Sequence, residues 1–240
     1  MTTKTVRAAR DSALHPLDDP VRSSLRGAHA RFAVWSGRIA RYDSEVAGFV
    51  GHPPRLDAGD WADLAELAGP AAEVSLRGAH VPPAGWDLLG QLGSVQLDGS
   101  DLEVAPDPDV VVLGSDDVPQ MLDLVARTEP GPFRVRTIEM GTYLGFVDDG
   151  RLVALAGERM HPDGWTEISA VCTDPRFRRR GLSTRLVRAV GYGIRARGAI
   201  PFLHARADNV SAIRLYESLG FTLRQRSVLT RLRTPGGGER

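Results

Sequence analysis

The chain has 240 residues, 42% of them apolar, with thirty basic and thirty acidic side chains and one cysteine. That is enough to bury a full core as one large or two small domains. The neutral balance argues against bulk nucleic-acid binding, which phosphate neutralisation drives. Cys172 alone forms no intramolecular disulfide and no Cys/His spacing suggests a metal site, so a reducing, cytoplasmic setting without a metal is expected. The first fifteen residues lack an apolar core, and no run approaches the ~18 apolar residues of a membrane span, so neither export nor a membrane anchor is expected. Lys4 is the only lysine, which excludes a P-loop.

The charges are unevenly divided: ten Lys/Arg against fifteen Asp/Glu in residues 1–107, and twenty against fifteen in residues 108–240. Residues 1–19 read as a mobile leader. Residues 38–50 suit one or two strands, Asp60 caps a short helix over 60–67, 73–77 is a strand, and 86–92 is helical. The acidic, proline-bearing run at 101–109 marks a boundary between an accessory domain, 1–107, and the main domain, 108–234. In the latter, 110–113 is a short strand, and Asp116 or Asp117 caps a helix with Val118, Met121, Leu122 and Val125 at helical spacing. Residues 142–147 and 151–160 are strands joined by the hairpin turn Asp148-Asp149-Gly150. A strand over 165–173 runs into a helix over 182–197 with Leu182, Leu186, Val190 and Ile194 on one face. Gly191 and Gly193 weaken that helix by ~1 kcal/mol each relative to alanine. Residues 201–205 form a buried strand, Asn209 caps a helix that stops before Gly220, and closing strands follow from Phe221. Residues 235–240 read as a flexible tail.

The junction at 171–184, Val-Cys-Thr-Asp-Pro-Arg-Phe-Arg-Arg-Arg-Gly-Leu-Ser-Thr, carries the most chemistry. A helix start leaves backbone N–H groups unpaired and carries partial positive charge; Gly181 lets an anion approach them, and Arg178, Arg179 and Arg180 add full charges. The spacing Arg178-x-x-Gly181-x-Ser183 resembles the Arg/Gln-x-x-Gly-x-Gly/Ala signature of the GNAT superfamily of N-acetyltransferases. Residues 207–221, Ala-Asp-Asn-Val-Ser-Ala-Ile-Arg-Leu-Tyr-Glu-Ser-Leu-Gly-Phe, resemble the same family's Asn-x-x-Ala-x-x-Leu-Tyr-x-x-x-Gly-Phe segment. The resemblance implies an α/β fold, a mixed sheet splayed between its fourth and fifth strands, over about 108–234. The alternating elements before it resemble a smaller, degenerate GNAT-like domain.

The resemblance also implies acetyl-CoA as cosubstrate and a set of roles. The backbones of Val171 and Thr173 would pair with the pantetheine arm. The turn from Arg178 through Arg179, Arg180, Gly181, Leu182 and Ser183 to Thr184 would take the pyrophosphate, with Ser183 in place of the usual Gly or Ala. Asn209 would point to the CoA arm. Glu167 would be the general base, with Glu158 as substitute, and Tyr216 the acid that protonates the departing thiolate. Strand alternation puts Glu167, Ser169, Val171 and Thr173 on one face, with Glu167 ~13 Å behind Val171. Cys172 falls opposite as a buried spectator, and His161 and His204 read as loop and strand residues. Tyr216 follows Asn209 by two helical turns, ~10 Å.

The implied reaction is direct acetyl transfer in a ternary complex. The acceptor is a small-molecule amine or a peptide N-terminus, shaped by residues 127–140. There Phe133, Arg134 and Arg136 suit a carboxylate, and Glu129 and Glu139 suit an amine. The rival reading is a non-catalytic acyl-CoA-binding regulatory module, which would keep the turn and Asn209 but survive loss of Glu167 and Tyr216. A nucleic-acid patch built on the arginines is a third.

Overall fold

In a computed structural model, described over residues 15–236, two sheets account for the strands. The first elements are α1 (Pro20–Arg26), β1 (Ala33–Ser36), β2 (Ile39–Tyr42), β3 (Val50–Gly51), α2 (Ala58–Ala68), β4 (Glu73–Arg77) and β5 (Asp87–Asp98). Then come β6 (Val111–Leu113), α3 (Val118–Thr128), β7 (Tyr143–Asp148), β8 (Arg151–Glu158), β9 (Trp165–Thr173), α4 (Leu182–Ala196), β10 (Ile200–Arg206), α5 (Val210–Ser218) and β11 (Thr222–Arg233). Strands β1, β2 and β3 form a small antiparallel sheet. The other eight form one mixed sheet in the order β4-β11-β5-β10-β9-β8-β7-β6.

That order corrects the boundary expected at 107/108. β5 lies between β10 and β11, pairing with both, and β4 pairs with β11, so the sheet runs through the supposed division. The run taken as a linker is packed as well: Leu102 is buried in the main core, and Asp107 and Asp109 both bind Arg185. Gly191 explains the fit, because a Cβ there would come within 2.5 Å of Leu102 Cδ2. The helix expected over 86–92 is instead the start of β5. Its leucines read as helical, but Gly90 sits at φ +144°, and pairing with β11 along the whole strand outweighs local propensity.

Other departures are local. Asp57, not Asp60, caps α2, with Asp60 returning the bond in a capping box. β1 has no counterpart among the expected strands, and the closing strands are one continuous β11. Of the expected leader, residues 1–14 lie outside the described residues. Leu17 is fully buried and Asp18 holds Arg224 at 2.6 Å, so that part is docked. Of the expected tail, 237–240 lie outside the described residues. The Asp149-Gly150 turn has both residues at positive φ, +46° and +73°, as a tight hairpin of this type needs.

Helices cover both faces of the large sheet. α4 and α5 pack on the face carrying Leu144, Phe146, Ala154 and Ile168, while α3 packs on the face carrying Tyr143, Leu155 and Cys172. Between these layers, β9 and β10 run parallel but pair only from Trp165–Ile200 to Glu167–Phe202. Beyond Glu167 they separate, and the sheet opens.

Candidate active site

The opening between β9 and β10 is the inner wall of a cleft of about 2340 Å³. It is bordered by Ser169 to Thr173 of β9, by His204 to Arg206 of β10, by Arg178 and Ser183 of the turn, and by Asn209 and Tyr216 of α5. The Asp174 N–H donates to Val153 O on β8. Amides alternate between the two edges of a strand, so those of Thr173 and Val171 face the gap, where no strand pairs with them.

The alternation of β9 is broken, however. Ala170 has φ +55°, and a bulge sets Ala170 and Val171 opposite the single residue Ala156 of β8. Val171 therefore shares the α4 face with Ile168, and Thr173 bonds Ser183 there at 3.0 Å. Cys172 lies on the α3 face. The expectation that Glu167 shares a face with Val171 and Thr173, opposite Cys172, is thus corrected: one extra residue inverts the parity. Ser183, unusual in the motif, uses its hydroxyl to fasten the start of α4 to β9.

The turn is shaped locally. Asp174 takes the Arg176 N–H at 3.0 Å and the Arg127 guanidinium at 2.5 Å. Hydrogen bonds from Arg176 and Arg127, outweighing burial, hold its carboxyl well below the usual carboxylate range. Arg179 at φ +63° and Gly181 at φ +75° then turn the chain into α4, whose first-turn amides receive no side-chain cap. Nothing lies within 4 Å of where a Gly181 Cβ would be, so it is the backbone conformation that asks for glycine. Arg180 stacks on Phe177. Among the described residues, Arg178, Arg179 and Arg180 are exposed and form no ion pair, whereas the neighbouring Arg176, Arg185 and Arg188 all do. Three uncompensated cations beside free helix amides form an anion cradle.

Tyr216 is buried except for its cleft edge, packs edge-on against Phe221, and is pushed up to about 12 by burial, with a smaller contribution from Cys172. It stays protonated and can donate. Asn209 spends its carbonyl on the cap of α5, accepting from Ala212 N at 3.2 Å. Cys172 also borders the cleft. Burial raises its thiol to about 11, so a nucleophilic thiolate is scarce near neutral pH.

Glu167 departs most from expectation. It is 0% exposed and does not border the cleft. Its Oε2 accepts from Arg159 Nε at 2.7 Å; its Oε1 accepts from Arg159 Nη2 at 2.6 Å and from His204 Nδ1 at 2.7 Å. Burial opposes its ionisation, but the charge and hydrogen bonds of Arg159, with those of His204, bring it down to about 2. Held as a carboxylate by Arg159 and His204 and closed off from the cleft, it is a poor acceptor for the proton of an amine. A directly acting base at this position is therefore corrected to a buried ion pair. The substitute, Glu158, is buried as well, bound to Arg197 at 2.6 Å. His204, which strand position alone marks as a packing residue, is half-buried and borders the cleft. No local signal picks it out, because its partners, Gln96 and Glu167, come from β5 and β9.

In the loop at 127–140, Arg136 is taken up by Glu139 and Asp43, whereas Arg134 borders the cleft and, among the described residues, its guanidinium bonds a backbone carbonyl, Ser44 O, and no carboxylate.

A sheet splayed at its centre, with unpaired helix amides and three exposed arginines at the mouth and a tyrosine on the wall, is the architecture of an acyltransferase fold. The comparisons with known proteins agree. Residues 143–230 match the family model described as FR47-like protein. A solved structure of a GNAT-family protein from Novosphingobium aromaticivorans superposes with a TM-score of 0.83 at 43% identity, covering 91% of this chain and 98% of its own. The chain is 31% identical over 118 residues to the [ribosomal protein bS18]-alanine N-acetyltransferase of Salmonella typhimurium, 47% of this chain and 79% of that one. It is 36% identical over 97 residues to the mycothiol acetyltransferase of Mycobacterium avium, 34% of this chain and 31% of that one. The chain belongs to the GNAT family of acetyltransferases.

Proposed function

We propose that this protein is an acetyl-CoA-dependent N-acetyltransferase that transfers the acetyl group directly to a primary amine in a ternary complex. The observation that carries this reading is the opening of β9 from β10 at Glu167–Phe202, continuous with a cradle of uncapped amides and three unpaired arginines. The gap suits an extended pantetheine arm paired to Val171 and Thr173, and the cradle from Arg178 to Thr184 suits its pyrophosphate. Asn209 orients α5 beside the arm. The amine attacks the thioester carbon and the C–S bond breaks. Tyr216, protonated across the working range, supplies the proton to the thiolate. A covalent detour through Cys172 is disfavoured by its raised thiol pKa.

The acceptor is a peptide N-terminus or a small-molecule amine. The relatives named for bS18 alanine and for mycothiol support an amine of either kind. Arg134, without a carboxylate partner among the described residues, favours one that carries an anionic group. A reducing, cytoplasmic setting belongs to the same reading and is supported by the single, unpaired Cys172.

Calorimetric titration with acetyl-CoA, followed by thiol-release assays over amino acids, polyamines and short peptides, tests the proposal. Saturable binding with CoA release on one class of amine is expected, and absence of binding would remove it. The sealed position of Glu167 also suits a non-catalytic acyl-CoA-binding module. Tyr216→Phe separates the two: an enzyme keeps acetyl-CoA binding and loses ten- to a hundredfold in turnover, whereas a binding module has no turnover to lose.

A further inference from the structure

At the point where the sheet opens, four side chains from four strands or their flanks form one chain of hydrogen bonds. Arg159, just after β8, holds Glu167 of β9 through both carboxylate oxygens. Glu167 Oε1 meets His204 Nδ1 of β10 at 2.7 Å, and His204 Nε2 meets Gln96 Nε2 of β5 at 3.0 Å. Gln96 is buried, and its orientation is fixed from two sides. Its Oε1 accepts from Arg224 Nη1 at 2.7 Å, and its Nε2 donates to Leu17 O at 3.0 Å. Its amide nitrogen can therefore only donate to His204. This sets the imidazole tautomer: Nδ1 carries the proton and gives it to Glu167, and Nε2 carries the lone pair.

Of these groups, His204 borders the cleft, its side chain 19% exposed, and its Nε2 lone pair is the one acceptor held by a neutral donor, Gln96, whereas both oxygens of Glu167 are bound to Arg159 and sealed. We propose that His204 Nε2 is the group that takes the proton of the acceptor amine, and that Glu167 is a positioning residue that holds the imidazole in the receptive tautomer. In the resting site the Gln96 N–H occupies the lone pair; the ammonium of the acceptor, a charged and stronger donor, replaces it.

One ammonium proton passes to His204 Nε2, giving an imidazolium still bonded to Glu167 through Nδ1. The freed amine lone pair attacks the thioester carbon, the C–S bond breaks, and Tyr216 gives its proton to the sulfur. The remaining excess N–H proton of the new amide returns to the tyrosinate, and the imidazolium releases its proton to solvent. The charges around the imidazole are Glu167 from β9, Arg159 beside β8, and Arg224 of β11 with its partner Asp18 from the N-terminal segment. The role rests on the acetyltransferase reading above, and two measurements separate its failure from that of the reading.

The first is ¹⁵N–¹H correlation of the histidine rings in the whole protein without cofactor. A neutral His204 protonated at Nδ1 is expected; protonation at Nε2 in the neutral form would overturn the assignment. The second uses His204→Asn, whose amide N–H reaches Glu167 in place of Nδ1 while the Nε2 lone pair is gone. Its CoA release is followed against pH with the best amine of the panel. A hundredfold or greater fall in turnover, loss of the acidic limb of the profile and an acetyl-CoA affinity within twofold of wild type are expected. A wild-type rate with its acidic limb intact would exclude His204 as the acceptor of the proton. Failure of the wild-type protein to bind acetyl-CoA would remove the acetyltransferase reading instead, and the tautomer measurement would still decide the state of His204.

Discussion

The two ends of the cleft are built in opposite ways. At the cradle, every contributing group lies within one stretch, 171–184. The work falls to backbone amides and left-handed turn residues, and among the described residues the three arginines form no ion pair. At the apex of the splay, the groups come from β5, β9, β10, β11, the residue just after β8 and the N-terminal segment, and each charge there is matched by another. Unmatched charge at the mouth suits a ligand that brings its own; matched charge at the apex suits a site that must keep one tautomer and one geometry before the acceptor arrives.

The difference is clearest under substitution. The largest expected effect is on stability at the apex. Arg159→Met strips the buried Glu167 of its bidentate partner, and breaking such a pair from one side costs about 3–5 kcal/mol. Thermal unfolding should fall by about 10 °C. A shift of a degree or two would mean that the apex is not held by this pair. At the cradle the same measurement should move little, while binding collapses. Gly181→Glu puts a residue of ordinary handedness at φ +75°, costing about 1–2 kcal/mol, and aims a negative charge at the pyrophosphate. Acetyl-CoA affinity should drop more than a hundredfold with the fold intact. Unchanged affinity would move the cofactor site elsewhere.

A third contrast is pH. Glu167 titrates lower in the folded chain than a free carboxyl, about 2 against 4.5. Its contribution is therefore complete above about pH 4.5 and is lost as the pH falls towards 2, worth roughly 3 kcal/mol over that window. Stability measured by urea unfolding between pH 6 and 3 should decline in the wild-type protein and decline less in Arg159→Met, where the depressing charge is gone. Parallel declines would assign the acid sensitivity to other carboxylates.

The same division explains what could be read from the chain itself. Elements with their own punctuation were legible: the Asp149-Gly150 hairpin, α4 behind Gly181, α5 behind Asn209, and the strand that precedes the cradle. β5 was not, because its leucines and glycines carry a helical spacing that only its pairing with β11 overrules. The bulge at Ala170 was not, because a single inserted residue leaves no compositional trace, yet it inverts which side chains share a face with Glu167. The role of Glu167 depends on Arg159 and His204, one eight residues before it and the other thirty-seven after it, and nothing in either neighbourhood announces the triad.

The smallest effect gives the sharpest sign. Within α4, local and tertiary demands oppose each other at Gly191. Helix propensity alone says that Gly191→Ala should stabilise the protein by about 1 kcal/mol. The new Cβ, however, would lie 2.5 Å from Leu102 Cδ2 and 3.0 Å from Val104 Cγ1, in the segment that its sequence marks as a linker. Overpacking of this kind costs about 1–3 kcal/mol, so the net change should be a destabilisation of about 1 kcal/mol in urea unfolding. A protein made more stable by alanine would mean that residues 101–107 yield as a linker does. A less stable one would mean that the glycine is kept for the close approach of this segment, which joins β5 to the rest of the sheet and so fixes the apex.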